Sequence, residues 1–499
     1  MYAYALRILL TSWKSIHPNN KFQSIWKENE HSIRLAPDSD ETWRQTGSKV
    51  LFVRPSYTDL WDLCMEIVDH GHSGVALSGT PGVGLSCFLD FCLHMLLVEL
   101  GERYQSVLYI HGKEGFAYIY RYNSPVERIS RLEDMKQNEM AQHVDFVLID
   151  PPTTTVYGDD FLVYSQLQSK KFILAASLDR QNCKALRQEA QPIDLFLGPT
   201  TMEESLQMRQ ECYPEIPREV VEERFQEFGG IPRFLFAIPS RFESNRRPRQ
   251  DQTDALEDLI LHPRRIDSLT SDQTFESVWA LYHMSPRAKN GIPHSDYTIV
   301  PCCDDARVRI RNKLMEINVW DLWSIFKGTS DDLDVLKGIR YEAYAHKKIL
   351  RDGLKYEALL LMETGITHDK VLRVEVPPQG ATVHLPDNNL DVGLRTIVAR
   401  ERTNGAYLLP TKSNFPVVNS FYVPLKCHDE NSHEVYQFQM MAGRNSNPLS
   451  NEAGEIFDST GSNRLIFVVP KEATIKCMLP GAAGAPEMNQ YRIVLNEAD

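Results

Sequence analysis

"GTPGVGLS", residues 79–86, decides how the first half of this chain is read. An apolar run, "GVALSG" (74–79), leads into it. "LSCFLDFCLHMLLVELG" (85–101) follows, with Leu85, Phe88, Leu89, Cys92, Met95, Leu96 and Leu100 close to helical spacing before a stop at Gly101. A glycine turn between a buried strand and a helix is the setting of a phosphate-binding loop, and Gly79, Gly84 and Ser86 satisfy its pattern, GxxxxGK[ST]. The lysine of that pattern is replaced by Leu85.

The chemistry behind the pattern shows what that replacement removes. Backbone N–H groups from Gly79, Thr80, Pro81, Gly82, Val83 and Gly84 onward wrap the phosphates, except at Pro81, which has none. The helix N-terminus adds a favourable dipole, and the hydroxyl of Ser86 is a Mg²⁺ ligand. Lysine would add a unit charge worth roughly 4 kcal/mol at about 4 Å and an effective dielectric near 20, or on the order of a thousandfold in affinity. Hydrolysis suffers more than binding, because charge concentrates in the transition state. The other half of such a site is an acid ending a later apolar strand, and "DFVLID" (145–150) supplies Asp150 as the second metal candidate. Pro151 and Pro152 follow it, so no general base stands next to that acid.

Further runs, "SVLYIHG" (106–112) and "KFILAAS" (171–177), have the continuous β-rich character of buried parallel strands. Residues 46–243 are therefore expected to form an α/β domain with a doubly wound parallel sheet, after an N-terminal extension, 1–45. "TMEESLQMRQECY" and "PREVVEERFQEF" predict two helices that end at Gly229-Gly230. "SNRRPRQDQTD" (244–254) reads as a linker or surface loop opening a helical region, 244–330, and helical patterning continues to about residue 350. Short strands such as "KVLRVEV", "NSFYVPL", "EVYQFQMM" and "RLIFVVP" then predict an α+β domain within 331–499.

Bulk properties narrow the function classes. At 499 residues the chain is long enough for two or three cores. A net charge of -13 gives no global attraction to nucleic acid or to an anionic membrane. The nine cysteines are scattered and never spaced CxxC, which indicates reduced thiols in an intracellular compartment rather than a disulfide framework or a zinc site. "MYAYALRILLTSW" is too short to span a bilayer and lacks the layout of a secretory signal, so no membrane partner is expected.

The ordered set "VLFVRPSYTDLW", "SGTPGVGLSCF", "FVLIDPP", "RFQEFGGIPRFLF", "GIRYEAYAHKKIL", "FPVVNSFYV", "YQFQMM" and "RLIFVVP" resembles the Crinkler effectors of oomycetes and fungi and the related retrotransposon hot spot (RHS) proteins of trypanosomes. The resemblance implies a P-loop NTPase module that takes ATP and Mg²⁺, with Arg233 of "GGIPR" sensing the γ-phosphate. It also implies a nuclease-like module of the PD-(D/E)XK restriction-endonuclease fold with Glu342 as its helix acid, and secretion into a host cell and its nucleus. Three positions depart from the nuclease pattern: Asn419 stands for an Asp, Met441 for a Thr or Lys, and Asn447 for a His. Residues 1–45 show no ubiquitin-like header.

These readings lead to three expectations. The first is an effector-like protein with weakened or lost ATP hydrolysis that acts by binding a protein partner, with no cutting by the C-terminal domain. The second is a live ATPase in which another cation, from Lys170, Lys171 or Arg54, replaces the lysine, with Asp150, Arg233 and Glu342 as catalytic candidates. The third is a nucleic-acid-binding module using Arg246, Arg247 and Arg249 with Arg264 and Arg265.

Overall fold

The structure, a computed structural model, describes residues 24–25, 32–35, 50–111, 115–130, 141, 143–151, 170–175, 186–187, 190–236, 246–261, 276–329, 333–362, 365–378, 383–385, 406–410, 420–423, 435–440, 464–470 and 489–495. The chain divides into two units, 1–249 with 268–298, and 250–267 with 299–499.

The first unit opens with a small antiparallel sheet of β1 (Ser24–Ile25), β2 (Ser32–Leu35) and β3 (Val50–Phe52). Helix α1 (Pro55–Asp69) then leads to β4 (Gly74–Gly79), α2 (Leu85–Val98), β5 (Ser106–His111), β6 (Phe116–Arg121), β7 (Glu127–Ile129), β8 (Phe146–Asp150), β9 (Lys171–Ala175) and β10 (Ile193–Leu197). These strands form one seven-stranded sheet in the order β10-β4-β9-β8-β5-β6-β7. The five strands from β10 to β5 are parallel, and β6 and β7 add antiparallel at the edge.

Alternation along each strand shows why this sheet is covered on both faces. Val75 and Leu77, Val107 and Tyr109, and Phe146 and Leu148 enter one buried cluster together with α1 and α2. Ala76, Leu108, Ile110, Val147, Ile149, Phe172 and Leu174 enter the cluster on the other face. Strands buried on both sides carry no polar alternation, which is why they read as unbroken apolar runs. From β4 the chain moves away to β5, then returns through β8 and β9 and passes β4 to reach β10. The carboxyl ends of β4 and β9 therefore flank a switch point, where open α/β sheets hold their ligands.

Beyond the sheet come α3 (Met202–Cys212), α4 (Arg218–Phe228), the single turn α5 (Pro232–Leu235) and α6 (Arg246–Leu261). α3 starts with a capping box, Thr201 accepting from the Glu204 amide at 3.1 Å and Glu204 accepting from the Thr201 amide at 2.8 Å. The expected linker at 244–254 is largely helical, because α6 begins at Arg246. Pro248 falls in its first turn, where a missing N–H costs nothing. The expected helical run after 255 is likewise interrupted by a hairpin, β11 (Tyr282–Lys289) and β12 (Ile292–Pro301). Asn290 (φ 54°) and Gly291 (φ 82°) supply the two positive-φ residues of a tight hairpin turn.

The second unit holds α7 (Asp304–Leu314), α8 (Val319–Gly328) and α9 (Asp334–Asp352), followed by β13 (Leu354–Met362), β14 (Gly365–Val376), β15 (Val383–Leu385), β16 (Ala406–Pro410), β17 (Ser420–Val423), β18 (Tyr436–Met440), β19 (Arg464–Pro470) and β20 (Asn489–Leu495). These eight strands form a mixed sheet, order β14-β13-β20-β19-β18-β17-β16-β15, with α9 packed on β18. Both units are thus mixed α/β, and the sheet of the first is rich in parallel pairs. Among the described residues no helix is long and apolar enough to cross a membrane.

Candidate functional site

Residues 80–84 form the turn between the end of β4 at Gly79 and the start of α2 at Leu85. Two glycines make this path possible. Gly82 has φ 91° and Gly84, the N-cap of α2, has φ 110°, conformations that side chains with a Cβ adopt only at a cost. The Val83 amide closes a tight turn on the Thr80 carbonyl at 3.0 Å.

Three successive loop carbonyls are tied from outside. The Arg233 amide donates to Gly82 O at 3.4 Å, the Arg54 guanidinium to Val83 O at 3.2 Å, and the Tyr57 hydroxyl to Gly84 O at 3.0 Å. Among the described residues nothing accepts from the amides of Gly82, Gly84, Leu85 or Ser86. Carbonyls held outward and amides left open beside a helix N-terminus make an anion-binding concavity.

The side chains around it have distinct duties. Thr80, fully buried, accepts from the Met284 amide of β11 at 2.9 Å and so braces the loop. Pro81 and Ser86 are half-buried, and the Ser86 hydroxyl bonds to no described residue. Leu85 lies half-buried against the large apolar cluster that includes Val83. Asp150, buried at the carboxyl end of β8, is in register with His111 of β5. α2 packs on β8. Burial pushes the Cys87 thiol in the first turn of α2 up to about 12, with the negative charges of Asp90, Cys212 and Asp150 adding to it against Arg54. Asp150 thus lies within electrostatic reach of the loop's helix. Asp150 and Ser86 fit a hard cation with oxygen ligands, one that also draws on phosphate oxygens. Among the described residues no group of three or more His, Cys, Asp or Glu is placed to hold a metal by itself.

Arg54 makes four hydrogen bonds to the protein itself. It is 2% exposed, and besides Val83 O it donates to Gly198 O and Pro199 O, each at 3.0 Å, and to the Glu204 carboxylate at 3.4 Å. It fastens the loop to the start of α3 through the same Glu204 that completes the capping box. Lys170 and Lys171 are excluded by position: Lys171 starts β9, at the amino ends of the parallel strands and so away from the loop at the carboxyl end of β4, 3.8 Å from Asp69 and over the Tyr104 ring. None of the three proposed replacements for lysine faces the phosphate cradle.

Arg233 does lie against it. A Cβ built on Gly82 would sit 2.8 Å from Arg233 Cβ and 3.1 Å from its Nε. Arg233 is exposed and has no ion-pair partner among the described residues. The part played by Tyr57 carries no sequence signal, since its contact with Gly84 spans 27 residues between two helices.

In the second unit Glu342 is committed elsewhere. Its carboxylate accepts from Arg307 and Arg311, each at 3.3 Å, with His346 Nε2 at 3.8 Å. Burial pushes its pKa up, but the adjoining His346, Arg307 and Arg311 more than offset this and hold it well below the usual carboxylate range. His346 Nδ1 meets the Tyr407 hydroxyl at 2.9 Å, which meets Ser420 Oγ at 2.7 Å. Each carboxylate oxygen of Glu342 thus accepts from one guanidinium, so the acid expected on this helix is ion-paired here. Asn419, Met441 and Asn447 lie outside the described residues.

Of the expected DNA-contacting arginines, Arg249 is paired with Glu227 at 2.5 and 2.8 Å. Arg246 and Arg247 open α6, and Arg264 and Arg265 lie outside the described residues.

No protein-family model and no curated protein matches the sequence. Two solved structures align over much of their own length: AMPPCP-bound DnaA from Aquifex aeolicus (13% identity, 60% of this chain and 91% of that one, TM-score 0.28) and a DNA replication initiation factor (11%, 59% and 96%, TM-score 0.28).

Proposed function

We propose that the first unit is a P-loop NTPase-type domain that binds ATP through the amides of Gly82 to Ser86, with Arg233 supplying the positive charge that Leu85 does not. The observation that carries this is the loop itself: outward-tied carbonyls, untaken amides and an unpaired guanidinium against Gly82, at the switch point of the sheet. Ser86 and Asp150 would hold the Mg²⁺, which screens the phosphate charge when bound. Turnover is weak in this reading, because an arginine beside Gly82 reaches the phosphates from a different element than the missing lysine. The protein then works as an effector-like binder of a protein partner, of the Crinkler or RHS type.

The second reading, a live ATPase, is favoured by the same Arg233. Magnesium-dependent ATP turnover by the full chain separates them. Hydrolysis abolished by Asp150→Asn and by Arg233→Ala establishes the enzyme. Binding lost in Arg233→Ala without measurable turnover in the unmodified protein supports the binder. Binding unchanged by Arg233→Ala contradicts the assigned role of that residue in both.

A further inference from the structure

Cys302 and Cys303 lie in the second unit at the junction of β12 and α7, and neither the loop site nor the Glu342 cluster uses them. Their sulfurs are 3.8 Å apart, with the Cys302 thiol donating to Cys303. Cys303 is the N-cap of α7, and its sulfur also accepts from the Ala306 amide at 3.4 Å. Cys302 is buried and touches the Gln252 amide at 3.9 Å, while Cys303 is only half-buried. One sulfur is thus reachable and the other is held directly behind it.

We propose that Cys302 and Cys303 form a reversible dithiol–disulfide site that reacts with low-molecular-weight disulfides, Cys303 attacking and Cys302 resolving. In the first step Cys303, its proton gone to solvent, bonds to one sulfur of the incoming disulfide and the other sulfur leaves as a thiolate. In the second step Cys302 loses its proton to that leaving thiolate and bonds to Cys303 Sγ, expelling the remaining half as a second thiolate. Two protein thiols are oxidised and one small disulfide is reduced to two thiols.

The electrostatics favour this division of labour. The hydrogen bond from Cys302 holds the Cys303 thiol below its ordinary range, the Ala306 amide adds to this, and burial with Asp305 and Asp304 opposes it. The same bond and burial push Cys302 up, so Cys303 is the sulfur that ionises first. Thiols elsewhere differ: burial pushes the buried Cys64 well up, and the half-buried Cys87 up to about 12. Ring closure also draws the acceptor sulfur away from the first turn of α7, the helix that carries Arg307 and Arg311 to Glu342.

The test treats the full chain with oxidised glutathione at neutral pH and follows each cysteine by peptide mass spectrometry. Cys303 is expected to react about ten times faster than the half-buried Cys212. Its glutathione adduct is transient, a Cys302–Cys303 disulfide accumulates, and dithiothreitol reverses it. In Cys302→Ser the adduct at Cys303 persists. If Cys303 reacts no faster than Cys212, or the unmodified chain keeps a stable glutathione adduct without closing the ring, the proposal is overturned. Both decisive readings come from the unmodified protein.

Discussion

At the residue scale the site is defined by where charge and backbone polarity are placed. Leu85 leaves the amides of the loop intact and takes away a cation; in the proposed function Arg233 returns one from another element, its amide bonded to Gly82 O and its side chain alongside. If the cradle is sound, Leu85→Lys adds to it. The variant is expected to bind ATP at least about tenfold more tightly, a gain kept below the roughly 4 kcal/mol of the bare charge by the apolar cluster around position 85. Isothermal titration calorimetry measures it, and a folded variant with no gain would show that position 85 does not face the phosphates. The glycines, Ser86 and Asp150 were legible in the sequence because each is tied to a local pattern. Arg54 was legible only as a charge. Its carbonyl partners at 83, 198 and 199 are distant in the chain, so that it serves the loop as a brace became visible only in the fold.

At the element scale, the buried parallel strands were readable as apolar runs, and the helices at 202–212 and 218–228 from their patterning and the Gly229-Gly230 stop. The β11–β12 hairpin was misread as helical because its strands are broken by prolines and polar residues, although Asn290-Gly291 is itself a strong turn signal. Burial within these elements also sets a pH response. Burial pushes His94 of α2 down to about 4 and His283 of β11 down to about 3. The unfolded chain titrates these groups near pH 6.5, so below that value it binds more protons than the folded one. Their contribution is full above about pH 6.5 and is lost as the pH falls toward 4 and then 3, on the order of 3 kcal/mol for His94 and about 5 kcal/mol for His283. Urea unfolding at pH 7.5 and pH 5 is expected to show the part of this loss that falls above pH 5, about 2 kcal/mol for each histidine, and His283→Phe to reduce it. An equal difference in the variant would mean His283 does not carry it.

At the scale of the whole molecule, the two units place their polar residues differently on two different sheets. The first keeps untaken amides at a sheet switch point; the second pairs its buried polar residues with one another, from Arg307 and Arg311 through Glu342 and His346 to Tyr407 and Ser420. Glu342→Ala leaves two guanidiniums facing a buried space, and is expected to destabilise the second unit by about 3–5 kcal/mol in denaturant unfolding. A loss under 1 kcal/mol would mean the cluster is solvated. Glu342 could be singled out in the sequence, but its neighbours on α7 and β16 come together only through the tertiary fold, so a metal-binding acid and an ion-paired one look alike in the linear chain.

The most direct test of the central claim is equilibrium binding of MgATP to the full chain, set beside Gly82→Ala. A Cβ there meets a positive φ and Arg233 at 2.8 Å, so it disturbs the cradle and the cation together. The account predicts saturable binding that this single methyl abolishes, with circular dichroism unchanged. No binding by the unmodified protein at millimolar ATP, or equal binding by the two, would contradict it.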